Sequence, residues 1–125
     1  MSEKNGSVVR RYFDVVWNQG QIDRFEEFYS KHIVPHGATG VTDIEGLKQS
    51  VKVFRNAVPD LQIAIEDEIT SGDKVVMRWT LTGTHQGDLP GAPATGKPIT
   101  VPGMTIFRLA GGKVAEFWLQ ASPLG

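Results

Sequence analysis

His85 is the residue whose type and position most suggest acid–base chemistry in this chain. It ends a run of alternating apolar and polar residues at 74–85 and precedes a Gly- and Pro-rich segment at 86–96. A histidine titrates near neutral pH, so its imidazole can act as a base or polarise a carbonyl group. The alternative is a structural role, in which the imidazole orders the loop. The sequence predicts His85 as a catalytic candidate that anchors a loop gating a pocket.

Three consecutive acidic residues, Glu66, Asp67 and Glu68, provide a second candidate. If no bulge interrupts the predicted strand, Asp67 points inward together with Ile63 and Ile65. A carboxylate held in an apolar environment is a suitable general base at neutral pH. The alternative is a solvated strand end. Asp67 is therefore predicted as a catalytic carboxylate on the condition that the strand alternation is regular.

Aromatic residues predict an apolar pocket. Tyr12, Phe54, Trp79 and Phe107 form part of a large aromatic set, most of which is expected in the core. Ligand pockets are mainly apolar with few polar groups. The aromatic residues outside the core are therefore suited to contact an apolar ligand. His36 lies in a link flanked by Pro and Gly and is a further candidate for substrate binding, with a surface position as the alternative.

The spacing of apolar residues predicts helices first and strands afterwards. Helices are predicted at about 7–18, 22–29 and 42–58, the third starting with a capping box at Thr42–Glu45. Residues 32–36 form a short link or strand. After Pro59 the period changes to two, which predicts four antiparallel strands. This order is typical of an α+β fold in which helices pack on a curved sheet.

Composition narrows the possible functions. The chain has 125 residues, a net charge of −1 and no cysteine. We therefore expect one domain over residues 1–125, no nucleic-acid partner, and neither disulfides nor thiolate metal sites. No signal peptide or membrane span is evident, which predicts a cytoplasmic protein without a membrane partner. Few histidines are available, so neither a metal nor a cofactor is expected.

An ordered set of short motifs resembles the SnoaL-like polyketide cyclase, or ester cyclase, family over about residues 8–118. The motifs are Trp17-Asn18, Pro59-Asp60, Gly72-Asp73, Gly83-Thr84-His85, Ala94-Thr95-Gly96-Lys97, Phe107-Arg108, and Gly112-Lys113 with Glu116 and Trp118. The resemblance implies the cone-shaped nuclear-transport-factor-two-like fold, which also houses ketosteroid isomerases and limonene epoxide hydrolases.

The resemblance also implies a chemistry whose residues this chain lacks. Enzymes of the family close polyketide rings by an intramolecular aldol reaction, with a carboxylate on the last strand and a histidine on the preceding strand. The histidine position falls on Thr105, and the carboxylate position falls on Leu119 or, in a related register, on Ser122. The usual pair is therefore predicted to be absent, and Thr105 and Leu119 are predicted to face the cavity as substrate-binding residues.

Two functions follow from these observations. The first is a cofactor-free cyclase, isomerase or hydrolase for a polyketide-like or other apolar organic molecule, with His85 or Asp67 as acid or base. In it, Tyr12 or Thr105 positions a substrate oxygen. The second is a non-catalytic module for ligand binding or dimerisation. Trp118 is predicted to point away from the pocket on the last strand, so we also expect a homodimer through the outer sheet face.

Overall fold

Helical segments precede most of the sheet in this computed structural model, which describes residues 2–37, 41–89 and 91–122. Helix α1 (Ser2–Tyr12) continues into a π-helical segment (Phe13–Asn18), and a 3-10 helix (Ile22–Glu27) follows. Next come strand β1 (Tyr29–His36) and helix α2 (Ile44–Ala57). Strands β2 (Gln62–Ser71), β3 (Lys74–Thr84), β4 (Pro98–Ala110) and β5 (Lys113–Ala121) complete the order.

The five strands form one mixed sheet in the order β1-β5-β4-β3-β2. Neighbouring strands are antiparallel except β1 and β5, which are parallel. The predicted α+β order is confirmed. Residues 32–36, predicted as a short link or strand, belong to β1, which joins the four predicted strands in the sheet. Strand β1 can pair in parallel with β5 because the long connection through α2 and β2–β4 brings the chain back in the same direction.

The helices cover one face of the sheet and form the core with it. On β3 the inward residues Val75, Met77, Trp79 and Leu81 are buried, as the period of two predicts. Helix α2 contributes Leu47 and Val51 to the same core.

The N-cap of helix α2 lies one residue later in the chain than predicted. Asp43 has an extended backbone, and its Oδ1 accepts a hydrogen bond of 2.8 Å from the Gly46 amide. This is the normal geometry of an N-cap. The predicted capping box at Thr42 is therefore wrong, because Asp43 is the N-cap residue and its side chain caps the Gly46 amide.

A β-bulge in β2 changes the direction of its acidic residues. Ile65 pairs with Trp79, but the next pair is Asp67 with Arg78, which leaves Glu66 as an extra residue. An inserted residue reverses the faces of every side chain that follows it. Asp67 therefore lies on the outer face of the sheet, and Glu68 faces α1.

Asn18 ties the π-helical segment to the edge of the sheet. Its Nδ2 donates to the Ile63 carbonyl at 3.1 Å, and its Oδ1 accepts from the Ile63 amide at 2.6 Å. Strand β2 is an edge strand, so these two backbone groups have no strand partner on that side. The Arg55 guanidinium adds a 3.1 Å bond from Nη1 to the Trp17 carbonyl. Together these contacts fix Trp17 over the inner face of the sheet.

Candidate binding cavity

A cavity of about 810 Å³ lies between the helices and the inner face of the sheet. Its wall is mainly apolar and rich in aromatic rings, which come from α1, the π-helical segment, α2 and four strands: Tyr12, Phe13, Trp17, Tyr29, Phe54, Trp79, Phe107 and Phe117. Gln49, Ser50 and Ser122 add polar groups. No aspartate, glutamate, histidine, lysine or arginine lies among the described lining residues. Tyrosines are therefore the ionisable side chains in the described wall.

Tyr12, Trp17 and Tyr29 form a polar cluster in this aromatic wall. The Trp17 Nε1 donates a hydrogen bond of 2.9 Å to the Tyr12 hydroxyl oxygen. The two residues are five positions apart, and the π-helical backbone makes i and i+5 neighbours because its hydrogen bonds join those positions. The Tyr12 and Tyr29 rings also pack together, with centroids 4.8 Å apart.

Burial keeps both tyrosine hydroxyls protonated. Burial raises the pKa of Tyr12 to about 12, although hydrogen bonds to Tyr29 and Trp17 lower it in part. Burial also raises the pKa of Tyr29 well above its ordinary value, and the neighbouring Tyr12 raises it further. Neutral hydroxyls at physiological pH serve as hydrogen-bond donors and do not act as bases.

Thr105 provides the second polar point of the wall. The Trp79 Nε1 donates to the Thr105 Oγ1 at 3.0 Å, and Thr105 is only 5% exposed. Gly103 makes room for this indole, since a Cβ at that position would lie 2.3 Å from Trp79 Cζ2. Thr105 and Leu119 are direct cross-strand partners on β4 and β5, and both line the cavity. The prediction that they face one cavity is confirmed.

Six of the seven predicted substrate-binding residues line the cavity: Tyr12, Phe54, Trp79, Thr105, Phe107 and Leu119. The exception is His36, whose predicted pocket position is wrong. It lies on the outer face, where its Nε2 is 2.8 Å from Glu116 Oε2 and its ring stacks on Trp118 at 5.1 Å. The hydrogen bonds from His36 and Arg108 lower the pKa of Glu116. This cluster holds β1 and β5 together.

His85 is buried but is not part of the described cavity wall. Its backbone closes the base of the loop, since its amide donates to the Lys97 carbonyl and its carbonyl accepts from the Gly96 amide. The side chain is 3% exposed, and Nε2 has no hydrogen-bond partner among the described residues. The loop reaches the wall through Leu89, while Pro90 lies outside the described residues. A catalytic role for His85 remains a prediction.

Asp67 is exposed, so the expected inward position is wrong. Its Oδ2 accepts a 2.6 Å bond from the Arg78 Nε, and its side chain is 61% exposed. The bulge at Glu66 is the cause. The inward position passes to Glu68, which forms an ion pair with Arg10 of α1 outside the described cavity wall. A catalytic role for Asp67 also remains a prediction.

Several wall residues escaped prediction. Phe13 and Trp17 line the cavity because the helix changes to π-helical pairing, and the apolar spacing gave no signal for that change. The apolar spacing predicts Tyr29 in a helix, but the residue begins β1. Its proximity to Tyr12 arises from tertiary packing.

Neither a metal cluster nor a membrane-crossing helix is found in the described part of the chain. Within residues 2–37, 41–89 and 91–122, no three His, Cys, Asp or Glu side chains group in a way that could hold a metal ion. No helix in those ranges has the length and hydrophobicity that crossing a membrane requires.

Both the sequence and the structure of this chain match known proteins. The sequence profile of the family described as SnoaL-like polyketide cyclase matches residues 7–125. A candidate polyketide cyclase from Acidithiobacillus ferrooxidans is 30% identical, with a TM-score of 0.81, over 95% of this chain and 88% of that one. A candidate SnoaL-like polyketide cyclase from Jannaschia is 30% identical, with a TM-score of 0.85, over 97% and 87% of the chains.

More distant structures support the fold alone. TsrD from Streptomyces laurentii is 22% identical, with a TM-score of 0.87, over 96% of this chain and 89% of that one. No curated protein matches the sequence at a significant level. The structural matches confirm the α+β fold that the resemblance implied.

Proposed function

Since this chain belongs to the SnoaL-like polyketide cyclase family, we propose that its cavity binds a small, uncharged, apolar organic molecule without the family's usual aldol chemistry. The observation that carries this proposal is the pair formed by Thr105 and Leu119. They are cross-strand partners in the cavity wall. They also occupy the positions to which the resemblance assigns the histidine and the carboxylate.

The size and polarity of the cavity support ligand binding. A volume of about 810 Å³ falls within the range of roughly 300–1,000 Å³ that is common for small-molecule sites. The described wall has no charged side chain to pair with a charged ligand group. Moving an unpaired charge into such surroundings is costly, which favours uncharged molecules.

The second candidate is a cofactor-free enzyme, and the neutral hydroxyls of Tyr12 and Thr105 favour it. Both lie in the wall, where a donor could stabilise negative charge that develops on a substrate oxygen. This candidate still needs a base. The predicted bases, His85 and Asp67, do not line the described cavity, so the enzyme would need a base from the substrate or solvent. For this reason ligand binding is the preferred function.

Intrinsic fluorescence offers a direct test of binding. The chain has three tryptophans, of which Trp17 and Trp79 line the cavity and Trp118 does not. In the Trp118→Phe variant, all indole emission therefore comes from the cavity wall. We expect N-phenyl-1-naphthylamine, a neutral apolar probe, to quench this emission with saturable 1:1 stoichiometry.

A matched pair of charge variants provides the control. Leu119 points into the cavity, whereas its neighbour Gln120 is exposed on the other face of β5. Leu119→Arg should weaken probe binding at least tenfold, and Gln120→Arg should leave it unchanged. If neither protein binds the probe although both are folded, or if the two variants behave alike, the binding proposal is wrong.

The proposal includes a homodimer formed through the outer face of the sheet. Five residues in direct register cross this face from edge to edge: Ile69, Val76, Ile106, Trp118 and His36. Ile69 is 63% exposed and Ile106 is 36% exposed, which is high for large apolar side chains. A second copy related by a two-fold axis would place one row against the other.

The charged residues beside this row are compatible with packing against the same face of a second copy of the chain. One flank carries the Asp67–Arg78 pair and the other carries the Arg108–Glu116 pair, so neither flank presents a single sign. Sedimentation velocity at micromolar concentration should show a dimer for the unchanged protein. Ile106→Asp should give a folded monomer. A monomeric unchanged protein would contradict the dimer and leave the ligand proposal unaffected.

A further inference from the structure

The register of the strands limits how the outer faces of two copies can meet. Packed sheets keep their strands roughly aligned, so a two-fold axis between them runs either along the strands or along the row from Ile69 to His36. The centre of this row is Ile106 on β4, the middle strand of the sheet. An axis along β4 at Ile106 places Ile69 opposite His36 of the second copy. An axis along the row places each residue opposite its own copy.

The charges beside the row favour the axis along β4. Lys74 is the cross-strand partner of Arg108, and Arg108 is in turn the partner of Glu116, so the three residues line one flank of the row. Rotation about β4 exchanges β3 with β5, which places Lys74 opposite Glu116 of the second copy. The axis along the row would instead place Lys74 opposite Arg78 of the second copy, where like charges repel.

His36 is the titratable residue at one end of the row. Its Nε2 is 2.8 Å from Glu116 Oε2, and its ring stacks on Trp118. The Arg108 Nε donates to the other oxygen of the same carboxylate at 2.9 Å. The His36 side chain is 42% exposed in the single chain, so solvent reaches the imidazole. In a dimer about the β4 axis, Ile69 of the second copy would cover it.

A proton on His36 adds to a positive charge that is already in excess beside the row. Among the described residues, the register places three cations and two carboxylates on the two flanks: Lys74, Arg78, Arg108, Asp67 and Glu116. The helices cover the opposite face of the sheet, and His32 on β1 is exposed outside the row. Two protonated copies would therefore bring unbalanced positive charge together where water is reduced, which is costly.

We propose that two copies pack outer face against outer face about a two-fold axis along β4, and that protonation of His36 in each copy weakens this dimer. The inference rests on the dimer of the proposed function and adds its arrangement and its dependence on protons. A neutral imidazole with its proton on Nε2 donates to Glu116 and carries no charge into the interface. An imidazolium would lose part of its hydration beneath Ile69 of the second copy. The dimer is therefore tighter above the pH range in which histidine titrates than below it.

Sedimentation equilibrium at pH 5.5 and pH 8.0, at constant ionic strength, measures the dissociation constant of the dimer. For the unchanged protein we expect a constant about tenfold larger at pH 5.5, because two imidazoles titrate in each dimer and a factor of about three from each is sufficient. Circular dichroism at both pH values verifies that the chain is folded, so that a change in the constant reports on association alone.

Three variants assign the pH dependence to one residue. His36→Gln keeps an N–H donor for Glu116 and cannot be protonated, so its dimer should be tight at both pH values. His36→Arg is charged at both pH values and should dissociate as readily at pH 8.0 as the unchanged protein does at pH 5.5. His32→Gln is the matched control, because His32 is an exposed histidine of the same strand outside the row. It should keep the full pH dependence.

Single cysteines test the axis, since the chain has no cysteine of its own. With the axis along β4, residue 106 faces its own copy across the interface. Ile69 lies two strands away from β4, which places it about 20 Å from its own copy for strands about 4.8 Å apart and sheets about 10 Å apart. Bismaleimidoethane, a short cross-linker, should join Ile106→Cys dimers and leave Ile69→Cys dimers unjoined. An axis along the row would give cross-linking of both variants.

The outcomes separate this inference from the proposed function. A dissociation constant that does not change with pH, or a pH dependence that persists in His36→Gln, overturns the role of His36 while the dimer stands. A tight His36→Arg dimer at pH 8.0 does the same, and cross-linking of Ile69→Cys overturns the axis. If the unchanged protein is monomeric at both pH values, the dimer of the proposed function fails and this inference fails with it. Ligand binding is judged separately, by the fluorescence titration.

Discussion

Replacing Leu119 with aspartate would put a carboxylate into the apolar cavity at the position where the family resemblance places one. The cross-strand partner of Leu119 is Thr105, whose hydroxyl is uncharged. No cation lies among the described lining residues, so the new carboxylate would have no charged partner. We expect its ionisation to cost about 1–3 kcal/mol of folding free energy.

A cost of this size predicts a specific pH dependence. It corresponds to a native pKa raised from about 3.9 to between roughly 4.6 and 6. Below the unfolded value the group is protonated in both states and the cost is absent. As the pH rises through the native value, the unfolded state loses its proton more readily and stability falls. Destabilisation should therefore be complete near neutral pH.

Leu119→Asn is the matched control, because it removes the same apolar contacts and does not titrate. Urea unfolding followed by circular dichroism from pH 4 to pH 7 measures both variants. The aspartate variant should lose stability relative to the asparagine variant as pH rises. Adding Thr105→Val should enlarge the loss, because it removes the one hydroxyl opposite the carboxylate. Parallel pH profiles for the two variants would mean that residue 119 is solvated and that the assigned cavity wall is wrong.

Three further predictions concern residues outside the ligand contacts. Asn18→Ala should lower the free energy of unfolding by about 2 kcal/mol, because two hydrogen bonds to Ile63 are lost; urea unfolding measures this, and an unchanged stability would contradict the edge-strand role. Hydrogen bonds from the Thr84 amide and hydroxyl lower the pKa of Asp60 below 3.8, so their stabilisation is present at neutral pH and is lost as the pH falls through that lowered pKa; Asp60→Asn should remove this acid-dependent loss in thermal melts below pH 4. His85→Leu should leave probe affinity unchanged and stability unchanged or higher, because Nε2 has no described partner; a loss of ligand binding would instead support the predicted role of His85 in the site.

Side chains on regular elements could be placed from the sequence. The alternation on β3 placed Trp79 inward, and the resemblance placed Thr105 and Leu119 in one cavity. These predictions succeed because side chains on a regular strand alternate between the two faces of the sheet. Once one residue is placed, the faces of the other residues follow. The order of the helices is also predicted correctly, because the spacing of apolar residues reflects the local helical period.

Predictions failed where the backbone adds or loses a residue relative to the regular pattern. The bulge at Glu66 moves Asp67 to the outer face, and the residue types near Glu66 do not predict a bulge. The π-helical segment brings Trp17 to Tyr12, a contact that α-helical spacing does not contain. His36 was misplaced for another reason: its partners Glu116 and Trp118 come from β5, so their contact depends on a parallel pairing that local sequence does not encode.

The π-helical segment accommodates one more residue between Tyr12 and Trp17 than an α-helix with the same contact would contain. In an α-helix each residue turns by about 100° around the axis, so a separation of five positions would turn Trp17 away from Tyr12. Loss of a single codon between the two residues would make them i and i+4 neighbours of an ordinary α-helix, and the hydrogen bond from Trp17 to Tyr12 would be kept. The cavity wall therefore tolerates a change of one residue in chain length at this point, which makes the segment a place where the gene can lose a codon without loss of the contact.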